Sequence, residues 1–186
     1  MPFIGNKPTA VPLTGADLTD GIITSAKIAD GTIASVDLAS GVGGKVLQVV
    51  QGITTTQVSI TSVTWTDSTL TASITPSSAS NKILVLVNQH FNIFRSGLGY
   101  AGGSIRLVRG ATTIYSGISS FEKYAEVGSG TQVNFYDYFS LMYLDSPSST
   151  SALTYKTQQR SYDPGDRAMT QANSTQSSIT LIEIAG

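Results

Sequence analysis

The 186-residue sequence contains no cysteine. That absence removes disulfides, thiolate nucleophiles and thiolate metal sites together, and leaves the chain indifferent to redox compartment. Charge is scarce as well: Asp, Glu, Lys and Arg make up 12% of the residues, about half the roughly 25% usual in soluble domains. Lysines and arginines are scattered singly and the net charge is −1, so no basic stripe exists to neutralise phosphates and no nucleic-acid partner is expected. The longest strongly apolar run, Ile83 to Val87, is far too short to span a bilayer, which argues against membrane insertion. The opening residues, Met1-Pro2-Phe3-Ile4-Gly5-Asn6-Lys7-Pro8, lack the apolar stretch of a secretory signal. The expectation is a protein made in the cytoplasm that, if it acts outside, leaves by another route such as cell lysis.

Uncharged polar residues fill the place of the missing charge. Ser, Thr, Asn, Gln and Gly suit flat, densely packed β surfaces and extended virion or secreted proteins better than cytosolic enzymes. Hydrophobic residues still reach 40%, enough to bury a core and to exclude wholesale disorder.

From Val11 the chain reads VPLTG, ADLTD, GIITS, AKIAD, GTIAS, VDLAS. The central position is always aliphatic (Leu13, Leu18, Ile23, Ile28, Ile33, Leu38) and the next is always small. A period of five fits neither regular element. On a helix each step of five turns the aliphatic position by about 140° around the axis. On a continuous strand successive aliphatics would alternate between faces. A bend within most repeats is therefore required, and Asp20-Gly21, Asp30-Gly31 and Ser40-Gly41 suit it. So few residues cannot form a stable single-chain solenoid. Three copies winding together, or one copy lying on a neighbour, would supply the missing partners, with a flexible linker as the alternative.

After Val42-Gly43-Gly44 the pattern changes. Stretches rich in Val, Ile, Thr, Tyr and Phe run over 46–51, 55–61, 69–75, 82–94, 104–109, 112–115, 131–144, 152–159 and 177–184, separated by Gly, Pro, Asn and Ser clusters. Nine short strands predict an all-β, antiparallel two-sheet sandwich of jelly-roll type. Ile83 to Val87 is apolar on both faces, as in a central strand. Beyond it Asn88, His90 and Asn92 share one face and Gln89, Phe91 and Ile93 the other, which suits a sandwich whose second face meets a neighbouring subunit.

Three segments together carry a resemblance: the opening MPFIGNKPTAVPLT, the repeat with IITSAKIADGTIAS, and SITPSSASNKILVLVN followed at the end by SSITLIEIAG. They resemble short tail-fibre and related structural proteins of phages, marine ones especially. The resemblance implies a homotrimer with three parts: residues 1–12 attaching to other virion structural proteins, a repeat shaft over 13–45, and a C1q/TNF-like jelly-roll head over 46–186. Such a head meets a host surface glycan or protein. The resemblance leaves tail or capsid location open, and it supplies no catalytic residues and no cofactor.

Enzymatic alternatives rest on few residues. His90 is the only histidine, and no G-x-S-x-G elbow surrounds any serine. It reads as an interior or subunit-interface residue rather than part of a Ser-His-Asp device. A glycan-cleaving fibre would need paired carboxylates. Asp163-Pro164-Gly165-Asp166 is the closest pair, with Asp137 and Asp145 farther back, but Asp-Pro-Gly-Asp is a turn signature whose carboxylates cap amides. Calcium would need more oxygen ligands than are evident. No enzyme is expected. In the aromatic stretch, Val133, Phe135, Phe139 and Leu141 alternate as core, leaving Tyr136 and Tyr138 to close a subunit interface or to stack on sugars. Trp65 reads as a core plug. Receptor contact is expected from loops: Tyr100 in 96–103, Phe121 and Tyr124 in 117–130, and Arg160, Tyr162, Asp163, Asp166 and Arg167 in 160–167.

Overall fold

The protein is described by a computed structural model over residues 21, 23–34, 37–38, 45–116 and 123–186. It divides into two units, Met1–Gly43 and Gly44–Gly186. The expected attachment segment 1–12, and Leu13 and Leu18 of the repeat, lie outside the described residues.

In the first unit the five-residue period reappears as hydrogen bonding. The carbonyls of Thr24, Ala29 and Ala34 accept from the amides of Lys27, Thr32 and Asp37, at 2.9, 3.1 and 2.9 Å. Each acceptor is the small residue that follows an aliphatic one. The turn at 29–32 places Gly31 at φ +79, a conformation that favours glycine. A bend thus recurs in these repeats, as the period requires. The aliphatic side chains find little cover within the single chain: Ile23, Ile28 and Ile33 are 54, 37 and 50% exposed, and Leu38 is half-buried.

The second unit is all-β and antiparallel. Its strands are β1 (Val46–Thr54), β2 (Val58–Ile60), β3 (Thr66–Ile74), β4 (Lys82–Ser96), β5 (Gly99–Arg109), β6 (Thr112–Ser116), β7 (Lys123–Val127), β8 (Gln132–Asp145), β9 (Leu153–Ser161), β10 (Arg167–Thr170) and β11 (Ser177–Ile184). Sheet A runs β1-β11-β4-β10-β2, with β8 also on β4; sheet B runs β3-β9-β5-β6, with β7 also on β5. One of these strands, β7, falls in a stretch read from the sequence as a loop, and another, β10, begins at the last residue of such a stretch and is not among the strands expected. β7 contains Lys123 and Glu126, which blur its alternation, and the four-residue β10 is held because it pairs with both β4 and β2. Part of the glycine-rich stretch 96–103 is also strand. Gly103 is required there, since a Cβ would lie 2.8 Å from the Phe91 ring.

The core lies between the sheets. Ile83, Val85 and Val87 of β4, with Ile179 and Leu181 of β11, meet Leu70, Ala72, Ile74, Leu107 and Tyr155 of sheet B. Phe91 and Ile93 form a second cluster with Ala101, Ile105, Val127 and Ala168. A polar band separates the two clusters: Gln89 Nε2 donates to Ser68 Oγ at 2.8 Å, and Ser68 shares a short hydrogen bond with Thr157. Among the described residues no helix is long and apolar enough to cross a membrane.

At one end of the sandwich the buried Glu183 carboxylate accepts from Gln48 Nε2, Asn81 Nδ2 (2.6 Å), and the Ser77 amide (2.7 Å) and hydroxyl (2.8 Å). Burial alone would raise its pKa, but these four donors outweigh it and hold the carboxyl at about 2, below its ordinary 4.5. A folded pKa below the unfolded one stabilises the fold above the unfolded value, and that contribution is lost as pH falls toward the folded value. Chemical-denaturation stability is therefore expected to drop between pH 4.5 and 2. Glu183→Gln should cost about 3 kcal/mol at neutral pH and flatten that acid limb.

Candidate functional site

Register in sheet A fixes which side chains share its outer face. Directly opposed residues of antiparallel strands point the same way, and the inward residues of β4 are Ile83, Val85, Val87, Gln89, Phe91 and Ile93, all buried. The outward side carries a row Val49–Ile182–Leu84–Leu144, then Gln51–Thr180–Leu86–Met142, then Ile53–Ser178–Asn88–Ser140. His90 opposite Tyr138 and Asn92 opposite Tyr136 follow. No side chain in these rows is charged. Met142 is 73% exposed, Val49, Ile53 and Leu144 are also exposed, and Leu84, Leu86 and Ile182 are half-buried. β4 is central, as its double apolar pattern predicts, but its second face stands half open in the single chain.

His90, Tyr136 and Tyr138 do come together. The His90 ring centroid lies 5.9 Å from that of Tyr136 and 5.5 Å from that of Tyr138, the latter edge to face. The two exposed tyrosines cover the imidazole, which is only 5% exposed. Burial holds its pKa below the ordinary value. Phe135 departs from the expected core face: Val133, Phe139 and Leu141 pack on the core, whereas Phe135 is exposed. β8 is paired on one side only, with β4, and Phe135 lies toward its open end.

The outer face of sheet B has different chemistry. Lys156, Gln158 and Arg160 of β9 alternate with the inward Tyr155, Thr157 and Gln159. Arg106 of β5 lies opposite Gln158, and Asp67 of β3 opposes Gln158 from the other side. Trp65 is not a core plug. It is half-buried on this face, with the Arg106 and Arg160 guanidinium carbons 4.5 and 4.8 Å from its ring centroid. Arg106 Nε donates to Gln158 Oε1 (2.8 Å), Gln158 Nε2 donates to Asp67 Oδ1 (2.7 Å), and Lys156 Nζ meets Asp67 Oδ2 at 2.7 Å. Tyr100 projects to the same side from β5. The exposed Tyr162 follows Arg160 and donates its amide to the Gly102 carbonyl at 3.0 Å. Tyr124 pairs through its backbone with Gly102; its side chain, like all of Phe121, lies outside the described residues.

Among the other expected contact residues, Asp166 is fully buried and is corrected from receptor contact to framework. Its carboxylate accepts from Arg95 Nη1, the Gly102 amide (both 3.0 Å) and the Asp163 amide (3.2 Å). Burial pushes that carboxyl up, although these donors pull the other way. Asp163 caps the Gly165 amide at 3.1 Å and lies 3.5 Å from Arg95. The Asp-Pro-Gly-Asp turn thus caps amides, as its signature predicts. Arg167 stacks on Phe94 at 4.6 Å, beside the outer face of sheet A. Asp145 is a buried partner of Arg109 and accepts from Tyr155 Oη at 2.7 Å.

Among the described residues no group of three or more His, Asp or Glu is placed to hold a metal ion. The sequence matches no protein-family model, and no curated protein matches it significantly.

Asp166→Ala should lower stability by about 3 kcal/mol in urea denaturation, because it removes the buried partner of Arg95 and leaves the Gly102 and Asp163 amides without their acceptor. Asp163→Ala, at the exposed end of the same ion pair, should cost about 1 kcal/mol or less.

Proposed function

We propose that this protein is a structural fibre protein of a tailed-phage virion, a homotrimer that displays its β head for host-surface recognition and adsorption. One observation carries the reading: among the described residues, each unit exposes regularly spaced apolar side chains. In the first unit these are the repeat isoleucines; in the second they are the uncharged rows on sheet A. A second copy of the same chain satisfies both. Isoleucines at five-residue spacing match those of an identical repeat, and a neutral face rich in Asn, Ser, Thr and Tyr can meet its own kind without opposing like charges.

The strand order supports a jelly-roll head, since the first strand lies beside the last and the chain crosses between the sheets from β2 through β5 and again from β7 through β10. The resemblance of the opening segment, the repeat and the closing strand to phage fibre proteins supports the virion assignment. In this reading residues 1–12 join other virion proteins, residues 13–45 form the stalk, and the His90–Tyr136–Tyr138 cluster lies at the subunit contact. Display in threes makes adhesion firm through local concentration, even where each head binds weakly.

Light scattering on the full chain should give three times the 19.5 kDa chain mass. Met142→Glu places a charge in the uncharged rows and should shift that mass toward one chain, with dissociation promoted roughly a hundredfold, while the circular-dichroism β signal is retained. A monomeric native chain would overturn the reading.

A further inference from the structure

The outer face of sheet B gathers cationic side chains about a single aromatic ring. Across β3, β9, β5 and β7 the charged side chains turned outward among the described residues are Arg106, Lys156, Arg160, Asp67 and Glu126, a net of one positive charge, with the three cations gathered toward β9. We propose that this face, centred on Arg106, Trp65 and Arg160, binds an acidic polysaccharide, a sugar chain bearing carboxylate or sulfate groups. The inference rests on the recognition reading above and supplies its ligand class.

Two guanidinium groups lie within 5 Å of one indole ring centroid. Burial, and then repulsion from Arg160, hold the Arg106 pKa below its ordinary value. An oxyanion reached by both would relieve that repulsion. Arg106 is set up to receive one: Gln158 fixes its Nε, and among the described residues nothing accepts from its two terminal amino groups. A planar fork held at one nitrogen and open at the others matches the paired oxygens of a carboxylate or sulfate. Asp67 does not fill this role, because Lys156 and Gln158 already engage both of its oxygens.

A sugar chain fits better than a nucleic acid. Few cations line the face, and a polyphosphate would need a longer basic track. Beside the arginine-covered Trp65, the exposed Tyr100 and Tyr162 present aromatic bodies with polar tips, the surface on which sugar rings lie. These groups stand on strands or beside one, which keeps their spacing fixed before any ligand arrives.

Trp65 is the only tryptophan in the chain, so its fluorescence reports this face alone. The full chain would be titrated with polygalacturonate, dextran sulfate, uncharged dextran and sodium sulfate. The expected result is a saturable emission change with one or both acidic polymers and none with dextran. The midpoint should weaken as salt rises, and Arg106→Gln should bind roughly tenfold more weakly or worse. Should that variant fail to melt cooperatively, Arg106→Lys takes its place; it keeps the charge and loses the fork, and should also weaken binding. Silence with both acidic polymers, an equal response to dextran, a full response to sodium sulfate alone, or unchanged affinity in the arginine variant would each overturn the proposal. Light scattering on the same sample separates the two readings. A trimer blind to acidic polymers loses this site and keeps the fibre assignment, whereas a monomer that binds them does the reverse.

Discussion

Strand β4 is the constraint on which the head depends. It is hydrogen-bonded along its length on one side to β8 and on the other to β11 and β10, so its backbone is satisfied wherever its side chains point. Its inward side sets the core. Ile83, Val85 and Val87 anchor one cluster and Phe91 and Ile93 the other. Gln89 stands between them and needs a hydrogen-bonding partner from the opposite sheet. Ser68, itself bonded to Thr157, provides it. A buried amide left without that partner would be costly, so the band fixes how the two sheets register as well as how they adhere.

Much of this could be read from the sequence, because half-buried strands write their geometry as a period of two. β9 and β11 alternate cleanly between buried and less buried positions, as β4 does from Lys82 to Asn88 before five buried residues in a row, and the segments expected for them match closely. The five-residue repeat was equally legible as a need for bends, and it recurs as turn hydrogen bonds at 24–27, 29–32 and 34–37. Where side-chain character and environment part company, the sequence misleads. Phe135 has the residue type of a core position but lies on an edge strand, and Asp166 has the type of a surface position but is buried by its ion pair with Arg95. Trp65 looked like core because it is large and alone. The two arginines that flank it are about 40 and 95 residues away, a juxtaposition that only the sheet order makes.

The scarcity of charge acquires a location in the fold. The middle rows of sheet A's outer face carry none, with Lys82 and Arg167 at their two ends, while sheet B's outer face brings Arg106, Lys156, Arg160 and Asp67 near one indole. Two framework pairs hold further charges: Arg95 with Asp166, and Arg109 with Asp145. Glu183 is held by neutral donors alone. The two outer faces therefore differ in kind, apolar and neutral across the middle of sheet A and polar across sheet B.

The closing residues give the head a direction. The Ala185 amide donates to the Lys45 carbonyl at 2.8 Å, and Gly186 donates to Asn81 Oδ1 at 3.1 Å. A Cβ at Gly186 would lie 2.0 Å from the Ser80 carbonyl oxygen. Strand β1 therefore begins at the same pole where β11 ends, and polypeptide appended after Gly186 would leave beside the point where the chain enters. The opposite pole holds the tight turns near Gly97 and Thr131, joined by a 3.0 Å backbone hydrogen bond. Loop length can change there without disturbing the entry point, so diversification of this head over evolutionary time has one end of the sandwich in which to accumulate.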